Sequence, residues 1–529
     1  MNSYWMNYNI NLDKIKQIDN NNNADVCIIG CGLAGLSTAY YLAQSGLKVI
    51  LVDKTGIGEK ASGHTTAKIT FGHGLIYDYL INSFGIDFAY KYLKSNTEAI
   101  SNIKNIIDLE NIDCDFEFKN NYIYTQNQDN LYKINNEVKA INTLFDIENN
   151  KHQVDKNRYN KNIISFQKEN HTSYAQLVNT CELPFKIAGA IEIEEQAQFH
   201  PRKYMEGLAN SILKNKGIIF TNSLATDIRK VQNEYLIYVN NYKIQSKYVV
   251  IASHYPFINF PGFYFTKMYQ STSYAIGIET DKTIPSDMYI NDEEPVLSFR
   301  NAIYNNKKIL IIGGGNHKTG YSPESENSFG YKYLNEQRIK YFPNSKILYK
   351  WNTRDCITLD KIPYIGAFSS LMPNVYVATG FNKWGMTTSN VAANIIANSI
   401  LNKNNEFASV YNSTRFNPIK NKQEVTNMVS QTIKSFITNK IKIPNENLSK
   451  IKNNNGGILK IDGVSVGIYK DNCGNIYSVN PTCTHLGCLL TWNNVDKTWD
   501  CPCHGSRFDY TGKNIYDPAF KDLEKINLE

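Results

Sequence analysis

The chain has 529 residues, of which 42% are hydrophobic and 20% are charged, and its formal net charge is +7. This length exceeds what one hydrophobic core usually serves, so two or three domains are expected. The small net charge and the scattered Lys and Arg residues argue against a nucleic-acid partner. The sequence has no secretory signal pattern and no run of about 18 apolar residues. We therefore expect a cytoplasmic protein without a transmembrane segment, and leave peripheral association with a membrane open.

The N-terminal region predicts a dinucleotide-binding unit. A buried strand, a glycine turn, a helical pattern and a second strand follow one another between residues 25 and 53. The glycines allow a tight turn and let a pyrophosphate approach the N-terminus of the helix, while a carboxylate at the end of the second strand accepts from ribose hydroxyls. The residues that we predict in these roles are Gly30, Gly32, Gly35 and Asp53.

A late segment, residues 375–390, favours FAD over NAD as the dinucleotide. It reads VYVATGFNKWGMTTSN and places Gly380 and Gly385 between a strand and a helix that Thr387 or Thr388 is predicted to cap. The positive end of this helix suits the negative charge that collects around N1 and the C2 carbonyl of a reduced flavin. A nicotinamide has no obvious need for it, so we predict a flavin that contacts both glycines.

Up to about residue 415 the chain resembles the FAD-dependent amino-acid and amine oxidases, a superfamily of the D-amino acid oxidase and glycine oxidase type. The segment GIGEKASGHTTAKIT, residues 56–70, is similar to the superfamily's second signature, whose loop touches the pyrophosphate and the flavin. Asp53 stands where Glu is usual there, one methylene shorter. The resemblance implies further FAD contacts at Leu33, Ala34, Lys54, Ser62, Gly63, Thr66, Ala225, Trp384, Met386 and Thr387.

The residue patterns and this resemblance together predict the fold and the domain boundaries. We expect an α/β FAD-binding domain of Rossmann type and an α+β substrate domain built on an antiparallel sheet, together spanning residues 1–417. A connector rich in Lys and Asn follows at 418–456, and a small all-β module at 457–529. The FAD-binding parts are predicted at about 24–80, 186–255 and 350–405, and the substrate-domain parts at about 84–185 and 256–349.

The resemblance also bears on the substrate. In amino-acid oxidases of this type, an arginine three residues before the Thr of a T-x-D-x-x-P motif holds the substrate carboxylate. Here Thr358 and Asp360 match the motif, but Asp355 occupies the arginine position and Arg354 adjoins it. An amine, or an acid held differently, is therefore favoured over an α-amino acid.

His200 precedes a proline and is interpreted as the cap of the helix that follows. The residues that we predict to act in catalysis are His64, Arg354 and Lys383.

Two short cysteine and histidine boxes near the C-terminus predict a metal centre. CTHLGC provides Cys483 and His485, and CPCHGS provides Cys501 and His504. Zinc could accept these four ligands tetrahedrally, but it leaves the two remaining cysteines and the neighbouring glycines unexplained. A Rieske [2Fe-2S] cluster explains more, because one iron takes the two thiolates and the other takes the two imidazoles.

The two boxes are similar to those of Rieske proteins of the cytochrome bc type. That resemblance implies a disulfide between Cys488 and Cys503, which ties the two loops together, and a hydrogen bond from Ser506 to a cluster sulfide. Phe508 stands where high-potential relatives commonly have a tyrosine that bonds to a ligand sulfur. Since fewer hydrogen bonds to sulfur lower the potential, we predict a value below the top of the Rieske range of about −150 to +300 mV.

Taken together, the two halves resemble the bacterial FAD-dependent oxidoreductases that carry a C-terminal Rieske domain. The resemblance implies dehydrogenation of a small amine or an amino or hydroxy acid, with electrons passed one at a time through the cluster to a protein or quinone. In one alternative, electrons move in the opposite direction, from the cluster to the flavin. Another is a redox carrier or sensor without turnover. A Rieske oxygenase is disfavoured, because no histidine follows His504 to help bind a mononuclear iron.

Overall fold

A computed structural model describes residues 3–155, 174–304, 307–320, 329–415 and 448–528, so most of the predicted connector lies outside the described residues. The helices are α1 (Leu33–Gln44), α2 (Tyr77–Phe84), α3 (Ile86–Leu109), α4 (Leu131–Asp155), α5 (Pro201–Lys214), α6 (Phe329–Tyr341) and α7 (Gly385–Ile400). Within these ranges, no helix has the length and apolar character needed to cross a membrane.

Strands make up the larger part of the regular structure. They are β1 (Asn22–Ile29), β2 (Val49–Val52), β3 (Lys68–Ile69), β4 (Glu117–Thr125), β5 (Ala175–Val178), β6 (Gly189–Gln198), β7 (Ile218–Phe220), β8 (Ala225–Val231), β9 (Glu234–Val239), β10 (Tyr242–Ile251), β11 (Met268–Glu279), β12 (Met288–Asn291), β13 (Leu297–Tyr304), β14 (Lys307–Lys318), β15 (Lys346–Thr358), β16 (Tyr364–Ala367), β17 (Val375–Thr379), β18 (Asn455–Ile461), β19 (Val464–Lys470), β20 (Ile476–Val479), β21 (Thr491–Asn493), β22 (Thr498–Asp500), β23 (Arg507–Asp509) and β24 (Asn514–Tyr516).

The first sheet is the predicted nucleotide-binding sheet. Its order is β16-β17-β10-β1-β2-β7, and the strands from β17 to β7 run parallel. The four residues of β2 and the last four of β1 are buried, because α1, α5 and α7 cover one face of the sheet and residues of β8 and β9 pack on the other. This burial explains the continuous apolar runs in the sequence. The carboxyl ends of β1, β2 and β10 meet at one edge, where open α/β sheets bind their ligands.

The second sheet has nine strands and confirms the expected antiparallel substrate domain. Its order is β15-β11-β14-β13-β12-β4-β6-β3, and β5 pairs with β6. Most pairs are antiparallel, whereas β12 and β4 run parallel. The long strand β15 pairs with β11 along its whole length, so the second sheet extends to Thr358. Its side chains alternate between the two faces of the sheet, and this alternation determines which of them reach the site.

The C-terminal module consists of two small antiparallel sheets, β18–β20 and β21–β24. The first cysteine and histidine box lies between β20 and β21, and the second lies between β22 and β23. Trp499 is fully buried, and Arg507 forms buried ion pairs with Asp496 and Asp500 at 2.8 and 2.6 Å. These contacts fix the strands that hold the two boxes.

His200 is the N-cap of α5, as the sequence predicted. Its Nδ1 accepts from the Lys203 amide at 3.4 Å, and its ring packs edge-on against Trp5 and Tyr8. Burial lowers the pKa of His200 to about 3. The imidazole therefore stays neutral in the folded chain and acts as a structural acceptor.

We expect His200→Asn to make stability less sensitive to acid. The folded pKa of His200 is depressed from its usual value of 6.5, so the unfolded state binds an extra proton and stability is lost as the pH falls below about 6.5. Asn can still cap the helix but does not titrate. Thermal unfolding at about pH 7 and about pH 5 should show a smaller drop in Tm for the variant. An equal drop in both proteins would contradict the assignment.

Candidate functional site

The glycine turn leaves the N-terminus of α1 open. Gly30 has φ +115°, and a Cβ there would lie 2.5 Å from the carbonyl oxygen of Ala252, at the end of β10. A Cβ on Gly35 would lie 1.9 Å from the Gly30 oxygen, so both positions require glycine. The Leu33 amide donates to Ser62 Oγ at 3.1 Å, which brings the second predicted segment to this helix end. Backbone amides at a helix N-terminus bind a pyrophosphate well.

A cavity of about 590 Å³ begins at this turn and is lined by residues of both large sheets. Asp517 and Phe520 of the C-terminal module also line it. This one cavity brings together segments that are hundreds of residues apart in the chain. The predicted residues that line it are Gly30, Gly32, Leu33, Ala34, Asp53, Lys54, Ser62, His64, Thr66, Ala225, Gly380, Lys383, Trp384, Gly385 and Met386.

Asp53 retains the capacity to bind a ribose. Its Oδ2 accepts from the Cys31 amide at 2.8 Å, and its Oδ1 accepts from the Thr55 amide at 2.8 Å. Burial raises the pKa of this carboxyl, while the two amides lower it. Each carboxylate oxygen has about two acceptor sites, so Oδ2 can still accept from a ribose hydroxyl. The donor set at this end therefore fits FAD.

The predicted cap of α7 is wrong. The helix begins at Gly385, and the N-cap residue Trp384 makes no capping bond through its side chain. Thr387 Oγ1 donates to the carbonyl oxygen of Thr70 at 3.2 Å, and Thr388 Oγ1 donates to that of Trp384 at 2.8 Å. Both hydroxyls lie inside the first turn and act as donors, whereas a cap must accept.

Four predicted site residues do not line the cavity: Gly35, Gly63, Thr387 and Arg354. The two glycines and the threonine pack against the loops behind the wall. Arg354 lies on the opposite face of β15 from Thr353 and Asp355, which do line the cavity. Its guanidinium lies 4.6 Å from the centre of the Tyr516 ring, in the C-terminal module. Arg354 is therefore an interdomain contact in this structure.

His64 and His73 are both held by backbone oxygens. His64 Nδ1 lies 2.9 Å from the carbonyl oxygen of Lys60, and burial lowers the pKa of its ring. His73 stacks on Trp384 with ring centres 5.0 Å apart, and its Nε2 lies 2.8 Å from the Thr70 oxygen. Burial lowers the pKa of His73 to about 3, so it forms a neutral part of the cavity wall.

Asp355 brings a half-buried carboxyl to the cavity. Burial raises its pKa, whereas the neighbouring Lys383 and His254 lower it. Lys383 has φ +74°, a strained conformation for a lysine, and it interacts electrostatically with Asp355 and Glu294. Asp292, Glu293 and Glu294 also line the cavity, as does Lys361. Four carboxyl groups and two lysine ammonium groups therefore line this part of the cavity.

The residues of the two boxes fit a [2Fe-2S] cluster. Cys483 and Cys501 are buried and free, and the rings of His485 and His504 stand perpendicular with centres 5.0 Å apart. The Nδ1 atoms of both histidines are buried and have no hydrogen-bond partner among the described residues. Two thiols and two unpartnered imidazole nitrogens are the donor set that a Rieske cluster needs.

The predicted disulfide is present beside the ligands. Cys488 and Cys503 form a disulfide, and the Cys501 Sγ lies within 4.8 Å of both of its sulfurs. A zinc site on these three cysteines is excluded because two of the thiols are bonded to each other. Ser506 Oγ accepts from the Ala519 amide at 2.9 Å, which leaves its hydroxyl hydrogen free to donate toward the cluster. Phe508 is fully buried in the same core.

One loop of the oxidoreductase region, residues 252–259, meets the first box. Asn259 Oδ1 lies 2.7 Å from His485 Nε2. An amide oxygen can only accept, so Nε2 carries the proton and Nδ1 presents its lone pair to iron. A salt bridge of 2.6 Å from Lys54 to Asp517 adds to the contact between the two regions.

The sequence did not indicate several residues of this site. Asn259, Tyr516 and Asp517 belong to no motif, and they meet their partners only because the C-terminal module packs onto the first region. Lys68 lies in the segment of residues 56–70, and nothing in that pattern distinguishes it as a site residue. Its Nζ donates to the carbonyl oxygen of Tyr289 at 2.6 Å, and burial lowers its pKa to about 7. An apolar neighbourhood around a lysine is not visible in a short motif.

Comparisons with known proteins agree with this geometry. The family model for FAD dependent oxidoreductases matches residues 25–399, and that for the Rieske [2Fe-2S] domain matches residues 443–527. The putative Rieske 2Fe-2S iron-sulfur protein YhfW of Bacillus subtilis is 33% identical over 527 residues, which is 100% of this chain and 98% of that protein. Gamma-glutamylputrescine oxidoreductase of Escherichia coli is 23% identical over 396 residues, covering 70% of this chain and 82% of its own.

Among solved structures, glycine oxidase from Geobacillus kaustophilus matches with a TM-score of 0.57 at 15% identity, covering 75% of this chain and 100% of that chain. This likeness supports the fold alone. The two family models, the residues that line the cavity and the two boxes all indicate the same cofactors, FAD and a [2Fe-2S] cluster. The chain therefore belongs to the FAD dependent oxidoreductase family and carries a Rieske [2Fe-2S] domain at its C-terminal end.

Proposed function

We propose that the protein oxidises a small cationic amine and passes the electrons one at a time to its Rieske domain. One observation carries this proposal. The loop 252–259 supplies Ala252, Ser253 and His254 to the cavity wall, and it also supplies Asn259, which is bonded to the cluster ligand His485. The two cofactor sites are thus neighbours across a single short loop.

The contact between the two regions supports transfer within one chain. Lys60 Nζ donates to the carbonyl oxygen of Ile515 at 3.1 Å, and Gln270 Nε2 donates to that of Asp517 at 3.2 Å. Because Asp517 and Phe520 line the cavity, the C-terminal domain forms part of its wall. Covalent linkage and docking keep donor and acceptor at a high effective concentration, so transfer need not await diffusion.

The charge in the cavity favours an amine as the substrate. When bound, FAD accepts a hydride from the substrate carbon. Asp355 faces the cavity at the position where amino-acid oxidases of this type hold a carboxylate with an arginine, and a carboxylate there favours a cation. Burial raises the pKa of Asp355, and the neighbouring Lys383 and His254 oppose this rise. The name of the Escherichia coli relative also indicates an amine substrate for that protein.

Anaerobic mixing of the loaded protein with a panel of amines and α-amino acids tests this function. We expect amines to bleach the flavin absorbance and then to produce the EPR signal of the reduced cluster. α-Amino acids should do so poorly. The proposal fails if α-amino acids are the better reductants, or if a bleached flavin leaves the cluster oxidised. If a reduced cluster reduces the flavin and amines do not bleach it, electron transfer from the cluster to the flavin would be favoured instead.

A further inference from the structure

Tyr255 has a buried hydroxyl group with no partner in the structure. The side chain is 1% exposed, and the hydroxyl has no hydrogen-bond partner within the described ranges. Buried polar groups are almost always bonded, so an exception needs an explanation. A tyrosine hydroxyl is protonated at neutral pH and can donate. A ligand that is absent from the polypeptide, and that accepts hydrogen bonds, would explain it.

The surroundings of Tyr255 point to the cluster as that acceptor. Its ring meets the His485 ring edge-on, with centres 6.4 Å apart, and its hydroxyl interacts electrostatically with the thiols of Cys356 and Cys501. Cys356 Sγ donates to the carbonyl oxygen of His254 at 3.6 Å. A neutral thiol is a weak acceptor, but Cys501 becomes a thiolate when it binds iron. Hydrogen bonds to charged acceptors are about twice as strong as neutral ones.

The C-terminal domain offers no hydroxyl at the position of Phe508. This side chain is fully buried in the core that contains Cys483 and Cys501, and its strand neighbour is Trp499. Tyr255 approaches from the other side of the interface, because it stands in the loop that binds His485 through Asn259. The docked oxidoreductase region can thus add a tyrosine hydroxyl to the Ser506 hydroxyl that the C-terminal domain itself presents to the cluster site.

We propose that Tyr255 donates a hydrogen bond across the domain interface to a sulfur of the [2Fe-2S] cluster site, and that this bond raises the reduction potential of the cluster. Reduction adds one negative charge to the cluster. A donor stabilises the more negative form more strongly, so the bond favours electron uptake while the two domains are docked. This inference depends on the cluster and not on the amine, so a failure of the proposed substrate would leave it intact.

An EPR-monitored redox titration of the full-length protein tests the proposal. Tyr255→Phe removes only the hydroxyl, and we expect the equilibrium constant for one-electron reduction to fall about tenfold, which is 59 mV. Tyr264→Phe is the matched control. Tyr264 lies in the same hydrophobic cluster, and its hydroxyl donates to the carbonyl oxygen of Phe368 at 3.1 Å, away from the boxes. The reduction potential of the cluster in Tyr264→Phe should equal that in the wild type.

An unchanged potential in Tyr255→Phe, or an equal drop in Tyr264→Phe, would overturn the proposal. A second measurement covers the case in which Tyr255→Phe does not retain its cluster. Proton ENDOR of the reduced wild-type protein should then show a strongly coupled proton that exchanges in D₂O, and Tyr264→Phe should keep it. Absence of this proton from the wild type would refute the bond without any need for the variant.

Discussion

Replacing Cys501 with serine is expected to remove the [2Fe-2S] cluster while FAD stays bound. Cys501 is fully buried, is one of the two free thiols of the boxes and does not line the flavin cavity. A serine hydroxyl is a poor substitute for a thiolate as an iron ligand. Iron content and the EPR signal should fall to background, while the flavin absorbance stays at the wild-type level. Amines should still bleach the flavin, but reduction of a one-electron acceptor should nearly cease.

Cys473→Ser is the control for this variant. Cys473 is also a free cysteine of the C-terminal domain, but it is exposed and lies in the turn between β19 and β20. Its replacement should leave iron, flavin and acceptor reduction unchanged. If Cys501→Ser retained its iron, or if Cys473→Ser lost it equally, the assignment of the ligands would be wrong.

Asp355→Asn is expected to lower kcat/KM for a cationic amine by about 30-fold, or roughly 2 kcal/mol, the usual value of a hydrogen bond to a charged group. The amide keeps the shape of the side chain but no longer balances an ammonium group. It also leaves Lys383 with Glu294 as its remaining carboxylate neighbour. The preference for amines over α-amino acids should fall in the same measurement. Asp355→Glu, which keeps the charge, should restore part of the rate.

Asp360→Asn separates this effect from a general loss of stability. Asp360 follows closely in the chain and forms an ion pair of 2.8 Å with Arg415, but it does not line the cavity. This variant should lower the Tm without changing the preference among substrates. Equal changes in substrate preference for both variants would contradict a direct role of Asp355.

The local motifs were predictable because the residues in each of them lie close together in the chain. The glycine turn needs only the sequence from Gly30 to Gly35, where sterics exclude any other residue at two positions. The two cysteine and histidine boxes are similarly self-contained. In each case residue type and spacing indicate the chemistry, and the fold then brings Ala252 against Gly30 and joins the two boxes into one site.

The remaining features depended on tertiary structure. Arg354 and Asp355 are adjacent, and only the register of β15 against β11 decides which of them faces the cavity. Asn259 and His485 are 226 residues apart and meet through domain packing. The predicted cap of α7 lies three or four residues after the observed N-cap Trp384, because helix ends are weakly encoded in the sequence.

The central claim is that electrons cross from the flavin to the cluster within one chain. Its most direct test is to photoreduce the flavin of the loaded protein anaerobically and to follow the reduced-cluster signal at several protein concentrations. We expect the cluster to be reduced with a first-order rate constant that does not change with protein concentration. A rate that rises in proportion to concentration, or a cluster that stays oxidised beside a reduced flavin, would contradict it.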